Sequence, residues 1–131
     1  MSTTEENIVL SPGEWKLINL LWAHSPRTIT QMVRALTDDT GWSKYTVIKM
    51  LQRMEEKGAV RHEEGGPAKA FFPVLAQQAA ELTETEAFLD RVYGGSLGLM
   101  MSVMVRGGQL SRSELNEIYL LLRETEEEKP G

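Results

Sequence analysis

The sequence predicts a mainly α-helical protein that contains one small β-hairpin. Three features predict this class. Apolar residues recur at helical spacing in several segments, Ser- or Thr-headed capping boxes precede three of them, and a Gly-Gly-Pro tip at residues 65–67 separates two short β-prone runs. The predicted order is three helices, the hairpin and then further helices. With 131 residues, of which 41% are apolar, the chain can bury a core without covalent cross-links.

The first two helices are predicted from caps and apolar spacing. Residues 11–14, Ser-Pro-Gly-Glu, form a capping box with proline at the first helical position. The buried stripe of this helix is Trp15, Ile18, Leu21 and Trp22. A turn at 24–27 leads to a second helix from Thr30 to Leu36, and residues 38–41, Asp-Asp-Thr-Gly, have the composition of a loop.

The third helix is predicted from Ser43 to Lys57, between Gly41 and Gly58. One face is apolar at i, i+3, i+4 and i+7: Val47, Met50, Leu51 and Met54. The opposite face is polar: Tyr45, Lys49, Gln52 and Glu56, with Ile48 and Arg53 at its margins. The hairpin follows, with its first strand in residues 59–64 and its second in residues 69–74.

The second half is predicted to be helical again. A second capping box at Thr83–Glu86 is expected to open a helix that Gly94-Gly95 ends. Residues 96–105 are almost wholly apolar. A third capping box at Ser111–Glu114 opens the last helix, which leads into an acidic tail at residues 124–131 that is expected to fray.

Three helices followed by a glycine-tipped hairpin is the plan of a winged helix-turn-helix, in which the third helix enters the DNA major groove. The stripe of Tyr45, Lys49 and Gln52 would then face DNA, with Ile48 placed to touch a thymine methyl group. Arg61 and Lys69, with His62, flank the wing and are expected to meet phosphate. The alternatives are a merely solvated helix face and surface ion pairs with the neighbouring Glu63 and Glu64.

The apolar segment at 96–105 also predicts a homodimer. A helix that is apolar nearly all round is buried on most sides, and the second half is too short to wrap it within one subunit. Two copies that interleave their C-terminal helices would bury it. The residues expected at this interface are Phe88, Leu89, Val92, Leu97, Met100, Met101, Met104, Leu115, Ile118 and Leu122.

Several functional classes are disfavoured. The chain has no cysteine and only His24 and His62 as histidines, and it lacks nucleotide-binding glycine motifs, so neither enzymatic activity nor a cofactor or metal is expected. No transmembrane segment or signal peptide is predicted, and a cytoplasmic location is expected. The net charge is −5, but residues 27–69 contain eight basic and six acidic side chains, so the acidity lies mainly in the C-terminal half.

The sequence resembles the penicillinase repressors of the BlaI/MecI/CopY type. The resemblance is carried by three motifs: L-S-P-G-E-W-x-L-I-N-L-L-W at 10–22, T-V-I-K-M-L-Q-R-M-E-E-K-G at 46–58 and F-L-D-R-V-Y-G-G at 88–95. It implies a dimeric repressor that binds a palindromic operator. It also places Thr46, Lys49 and Arg53 on the recognition helix, with Lys44 and Tyr45 at its N-terminal end.

The resemblance further implies a route of induction in part of the family. In resistance repressors a membrane sensor protease responds to β-lactams and the repressor is cleaved at an Asn-Phe pair, which aligns here with Val103-Met104. This chain is therefore predicted not to be switched off by that cut. The cysteine cluster of the copper-sensing branch is absent from the sequence.

These features together predict two domains: a winged-helix DNA-binding domain at 1–75 and a helical dimerisation region with an acidic tail at 76–131. The expected function is that of a sequence-specific, homodimeric transcriptional repressor on double-stranded DNA, in a β-lactam-response system with a sensor protease as a further partner. The alternative is a winged-helix module that docks another protein without specific DNA binding, which the overall acidity favours.

Overall fold

The computed structural model describes residues 8–128 of the chain. Within this range the chain forms six helices and one two-stranded sheet. The elements are α1 (Pro12–Ala23), α2 (Ile29–Thr40), α3 (Lys44–Lys57), β1 (Val60–Glu63), β2 (Ala70–Pro73), α4 (Gln77–Tyr93), α5 (Leu97–Arg106) and α6 (Arg112–Glu128). The chain divides into two compact units, the first ending at Thr85 and the second beginning at Glu86. The mainly α-helical class with a small hairpin is confirmed.

Helix α1 begins as the capping box predicts. The Ser11 hydroxyl accepts a hydrogen bond from the backbone N–H of Glu14, and the Glu14 carboxylate accepts one from the backbone N–H of Ser11. These two bonds satisfy N–H groups that the first turn of a helix leaves without partners. The buried face is formed by Leu17, Ile18 and Leu21, and the predicted Trp15 and Trp22 are only partly buried against it.

Helix α2 is longer than predicted, and the expected loop at residues 38–41 is wrong. The helix continues to Thr40 and ends at Gly41, whose φ of 65° is left-handed and therefore favours glycine. The hydroxyls of Thr37 and Thr40 donate hydrogen bonds to carbonyls one turn earlier, so these polar residues are accommodated within the helix. Composition alone therefore misplaced the end of the helix.

Helix α3 begins one residue later than predicted, ends at Lys57 as predicted and has the predicted buried face. Ser43 is its N-cap, and Gly58 ends it in the left-handed region at a φ of 86°. Its four buried residues are Val47, Met50, Leu51 and Met54. Each is at most 7% exposed, so this helix is held in the core by one complete apolar face.

The predicted hairpin is confirmed, and a third segment extends it. Strands β1 and β2 pair antiparallel, from Val60 opposite Pro73 to Glu63 opposite Ala70. Arg27, in the turn between α1 and α2, exchanges two backbone hydrogen bonds with Phe71. The hairpin is thereby attached to the turn that precedes the second helix.

One core unites these elements. Its fully buried large side chains come from α1, α2, α3 and the segment after β2: Leu17, Ile18, Leu21, Met32, Val47, Leu51, Met54 and Leu75. Phe71 of β2 and Ala80 of α4 also belong to this cluster. The hairpin and the three preceding helices therefore share one hydrophobic cluster, as a winged helix-turn-helix requires.

A buried carboxylate lies at the edge of this core. Glu14 is only 1% exposed, and its Oε1 accepts a hydrogen bond of 2.5 Å from Nζ of Lys57 in the last turn of α3. Lys57 also donates to the backbone carbonyl of Val9. Burial alone would raise the pKa of Glu14, but the hydrogen bonds from Lys57 and Ser11 and the positive charges of Lys57 and Arg53 outweigh it and lower that pKa.

In the C-terminal half, the start predicted for one helix is wrong and the start predicted for another is right. The Thr83–Glu86 capping box does not open a helix, because these residues lie inside the continuous helix α4. The helical hydrogen bonding is continuous from Gln77 to Tyr93, so the backbone N–H groups near Thr83–Glu86 already have partners and need no cap. At α6, Ser111 and Glu114 do form the predicted reciprocal cap. That helix continues to Glu128, and residues 129–131 of the acidic tail lie outside the described range.

The Glu14–Lys57 pair yields a prediction about stability and pH. In Glu14→Gln the amide keeps the helix cap but removes the charge that faces Lys57, and we expect the free energy of unfolding at neutral pH to fall by about 1–3 kcal/mol. Because the folded pKa of Glu14 lies below its usual value of 4.5, the ionised form stabilises the fold above that pH, and this contribution is lost as the pH falls through the folded pKa. Urea unfolding of both proteins should show the difference shrinking in acid.

The matched control is Asp39→Asn, which removes an exposed carboxylate that pairs with Lys16 at 2.7 Å. Both partners are about half exposed, so we expect a change within roughly 0.5 kcal/mol. A Glu14→Gln protein as stable as the Asp39→Asn protein at neutral pH would contradict the role given to the buried pair.

Candidate nucleic-acid interface

The face of α3 opposite the core carries the predicted polar stripe. Tyr45, Lys49 and Gln52 are all exposed, with Tyr45 at 68%. The Lys49 ammonium lies 5.7 Å from the centre of the Tyr45 ring, a distance at which a cation is attracted to the face of an aromatic ring. These side chains therefore form one surface that combines a donor cation, a phenol and an amide.

The residues beside the stripe on α3 differ in their exposure to solvent. Lys44 is exposed in the first turn, where no acidic residue is present. Thr46 and Ile48 are partly buried, and the Thr46 hydroxyl accepts a hydrogen bond from the Ser43 hydroxyl. The N-terminal end of α3 is thus locally positive, because the helix dipole and Lys44 act in the same direction there.

Arg53 lies at the margin of the stripe and faces the buried carboxylate. Its Nε is 3.7 Å from Oε2 of Glu14, and its side chain is 56% exposed. Two of the predicted DNA-binding residues, Arg53 and Lys49, therefore differ in environment: Arg53 has an anionic neighbour, whereas Lys49 lies over a phenol ring.

The basic residues of the wing are partly engaged by other side chains. Arg61 donates to Glu63 at 2.8 Å and lies over the ring of Phe72 at 4.2 Å. Lys69 is exposed beside β2, and in the described range it makes no ion pair. Of the two wing residues, Arg61 therefore forms a surface ion pair, as the alternative interpretation expected, whereas Lys69 is available to an anion.

His62 is held between two carboxylates rather than presented to solvent. Its Nδ1 lies 2.5 Å from Oε2 of Glu55 on α3, its Nε2 lies 3.2 Å from Oε2 of Glu64, and its ring packs on Phe71 at 5.5 Å. His62 therefore joins β1 to α3.

The sequence interpretation missed the role of Glu14 and Lys57, and a signal for it was present. Glu14 precedes Leu17, Ile18 and Leu21 by three, four and seven residues, so it lies on the buried face of α1. A carboxylate on a buried face needs a cationic partner. Because the capping box already accounted for Glu14, its second role as the buried partner of Lys57 was overlooked.

The second unit presents the apolar residues that were assigned to a dimer interface. Among residues 86–126 none of the large apolar side chains is buried within the single chain. Leu97, Leu99 and Val103 of α5 are each about half exposed. Phe88, Val92, Leu115 and Leu122 are exposed, whereas Leu89, Met100, Met101, Met104 and Ile118 are partly buried. A surface this rich in apolar side chains is typical of a protein–protein interface.

No helix between residues 8 and 128 is long and apolar enough to cross a membrane. In that part of the chain no group of three or more histidine and carboxylate side chains is arranged to hold a metal ion.

The fold defines the chain as a winged-helix protein with a helical C-terminal extension, and comparison with known proteins agrees. The penicillinase repressor family model matches residues 10–124. The penicillinase repressor of Bacillus licheniformis is 29% identical over 120 residues, which cover 92% of this chain and 94% of that protein. The methicillin resistance regulatory protein MecI of Staphylococcus aureus (strain N315) is 19% identical over 113 residues, covering 86% of this chain and 92% of that protein.

A solved structure is similar to part of the chain. The monomeric form of Bacillus licheniformis BlaI in complex with the blaP half-operator is 25% identical, with a TM-score of 0.49, over 55% of this chain and 88% of that chain. Because the family model spans nearly the whole chain, the protein belongs to the penicillinase repressor family. Members of that family are transcriptional repressors rather than enzymes, as the sequence predicts.

Proposed function

We propose that this chain is a DNA-binding transcriptional repressor that acts as a homodimer on an inverted-repeat operator. The observation that carries the proposal is the stripe of Tyr45, Lys49 and Gln52, which is exposed on a helix whose opposite face is entirely within the core. Membership of a repressor family supports the same function. In a winged helix this helix face is the one that enters the major groove.

Each side chain of the stripe has a distinct part in DNA recognition. Gln52 can pair with both the N6 and N7 positions of adenine, and Lys49 donates to guanine or to a phosphate. Tyr45 donates its hydroxyl to a phosphate, while Ile48 contacts a thymine methyl group. Lys44, Arg53, Arg61 and Lys69 supply positive charge that holds the phosphate backbone.

The homodimer is supported by the apolar surface of the second unit. The large apolar side chains of α5 and α6 that lie half exposed in one chain are covered when two copies associate. A twofold symmetric dimer presents two copies of α3, and two such helices read two half-sites related by the same symmetry. The operator is therefore an inverted repeat.

The direct test is fluorescence anisotropy with labelled duplexes taken from the DNA immediately upstream of the gene for this chain. We expect one segment that contains an inverted repeat to bind more tightly than a scrambled duplex of the same composition, with an affinity that falls steeply with salt because counterions are released. Equal binding to all duplexes, or none, would leave the rival function: a winged-helix module that docks another protein. The protein's net charge of −5 is the observation that favours that rival.

The first of three predictions from the proposed function concerns base contacts. Lys49→Ala and Gln52→Ala should each weaken operator binding by roughly 1–3 kcal/mol and relax the preference at one base position, with the fold unchanged because both side chains lie outside the core. Anisotropy against single-base operator variants measures both effects. The matched controls are Lys16→Ala and Gln78→Ala, which remove the same groups from exposed positions on α1 and α4. Full operator affinity in both Lys49→Ala and Gln52→Ala would show that another surface binds DNA.

The second prediction concerns the dimer. Met101→Glu places an unpaired carboxylate on the apolar face of α5 and should weaken dimerisation by about 3 kcal/mol, because the charge is buried on association. Sedimentation equilibrium over a concentration series measures the shift. Gln109→Glu introduces the same group at an exposed polar position and should leave the dimer intact. A wild-type protein that sediments as a monomer at micromolar concentration would refute the homodimer.

The third prediction concerns induction. A sensor protease that reads an Asn-Phe pair should not cut between Val103 and Met104, because a pocket built for a polar side chain is left with unpaired polar groups by an apolar one. This bond also lies within helix α5, so cutting requires local unfolding. Intact-mass measurement after exposing host cells to a β-lactam should find no fragment ending at Val103. The double variant Val103→Asn, Met104→Phe, expressed in the same cells, controls for protease activity.

A further inference from the structure

Glu14 divides its two carboxylate oxygens between different tasks. Its Oε1 accepts hydrogen bonds from the backbone N–H of Ser11 and from Nζ of Lys57, which together cap α1 and tie it to α3. Its Oε2 makes no hydrogen bond among the described residues and faces Nε of Arg53 at 3.7 Å. The helix cap and the Lys57 pair therefore account for one oxygen and leave the other directed at Arg53.

Arg53 has its guanidinium Nε beside the Glu14 carboxylate, on a side chain that is largely exposed. The side chain is 56% exposed, and it follows Gln52 on α3. A guanidinium has five N–H groups, and a carboxylate at Nε occupies one edge while the terminal amino groups stay available. Those groups match two oxygens of a phosphate in a bidentate contact.

We propose that Glu14 is a positioning residue for DNA binding: it holds the Arg53 side chain from behind, so that its outer edge clamps a backbone phosphate of the operator. This inference rests on the proposed DNA-binding function. Holding the side chain before DNA arrives reduces the rotamer entropy that a free arginine loses on binding. Because Glu14 is almost fully buried, it acts without touching DNA itself.

For removal of the Glu14 charge, the positioning role and the change in net charge predict opposite changes in DNA affinity. Removing a negative charge from a DNA-binding unit should strengthen its attraction to phosphate. If Glu14 positions Arg53, removing its charge weakens binding instead. Asp39→Asn is the matched control, since it also removes one carboxylate from the same unit, at an exposed site paired with Lys16. We expect the Asp39→Asn variant to bind DNA as tightly as wild type or more tightly.

The experiment is a double-mutant cycle on full-length protein. Operator affinity and its salt dependence are measured for wild type, Glu14→Gln, Arg53→Ala and the double variant, under conditions where urea unfolding shows that each is folded. Arg53→Ala should lower the affinity about tenfold and reduce the slope of log affinity against log salt by about 0.9, the value of one phosphate contact. Glu14→Gln should change affinity and slope in the same direction, and in the Arg53→Ala background it should cause no further loss.

The possible results distinguish a failure of the positioning role of Glu14 from a failure of the proposed DNA-binding function. If wild type binds no duplex specifically, the proposed function fails. If Arg53→Ala weakens binding but Glu14→Gln binds as well as or better than wild type, the positioning role is overturned. An equal loss from Glu14→Gln with and without Arg53 would assign Glu14 to the fold alone and overturn the role as well.

A second measurement does not depend on how Glu14→Gln folds. In wild-type protein the Nε–H signal of Arg53 in a nitrogen-15 NMR spectrum should be ordered before DNA is added, unlike that of the exposed Arg34. Addition of operator should then change chiefly the terminal amino groups of Arg53. An Arg53 Nε–H as mobile as that of Arg34 in the free protein would contradict the proposal.

Discussion

The ion pair between Glu14 and Lys57 connects the start of the first helix to the end of the third. A buried carboxylate is stable only when it is paired and hydrogen-bonded, so the two helices can meet only where Lys57 reaches Glu14. The apolar face of α3 allows the helix to lie against the core, but apolar contacts are not directional. The ion pair and the helix cap fix the direction in which α3 lies on the core. The orientation of the exposed stripe on α3 depends on that direction.

The charge distribution reconciles an acidic protein with DNA binding. The net charge of −5 arises mainly in the C-terminal half, where ten acidic side chains from Ala76 onward outnumber five basic ones. In the wing, Glu63 pairs with Arg61, while Glu55 and Glu64 flank His62, so local pairing leaves the hairpin with little free positive charge. Under the proposed function, specific recognition therefore falls mainly to α3, and the wing contributes chiefly through Lys69.

Features that depend on neighbours in the sequence were predicted well, and features that depend on distant partners were not. The buried face of α3 and the caps at Ser11 and Ser111 follow from local spacing, and the structure has them as predicted. The end of α2 and the start of α4 were misplaced because loop-like composition and a cap motif can both be absorbed within a helix. At the candidate interface, exposure of the stripe followed from the helical period. The contacts of Arg53 with Glu14, of Arg61 with Phe72 and of His62 with Glu55 did not, since they depend on how separate elements pack.

The two backbone hydrogen bonds between Arg27 and Phe71 have a consequence for how the first unit opens and closes. They join the helix-turn-helix to the hairpin through main-chain groups, which no substitution except proline removes. A hairpin of two four-residue strands is marginal on its own, and here Val60 and Phe71 bury it in the core that the helices share. The amide protons of Arg27 and Phe71 should therefore exchange with solvent only when the whole unit unfolds, which makes the wing and the three helices a single cooperative folding unit.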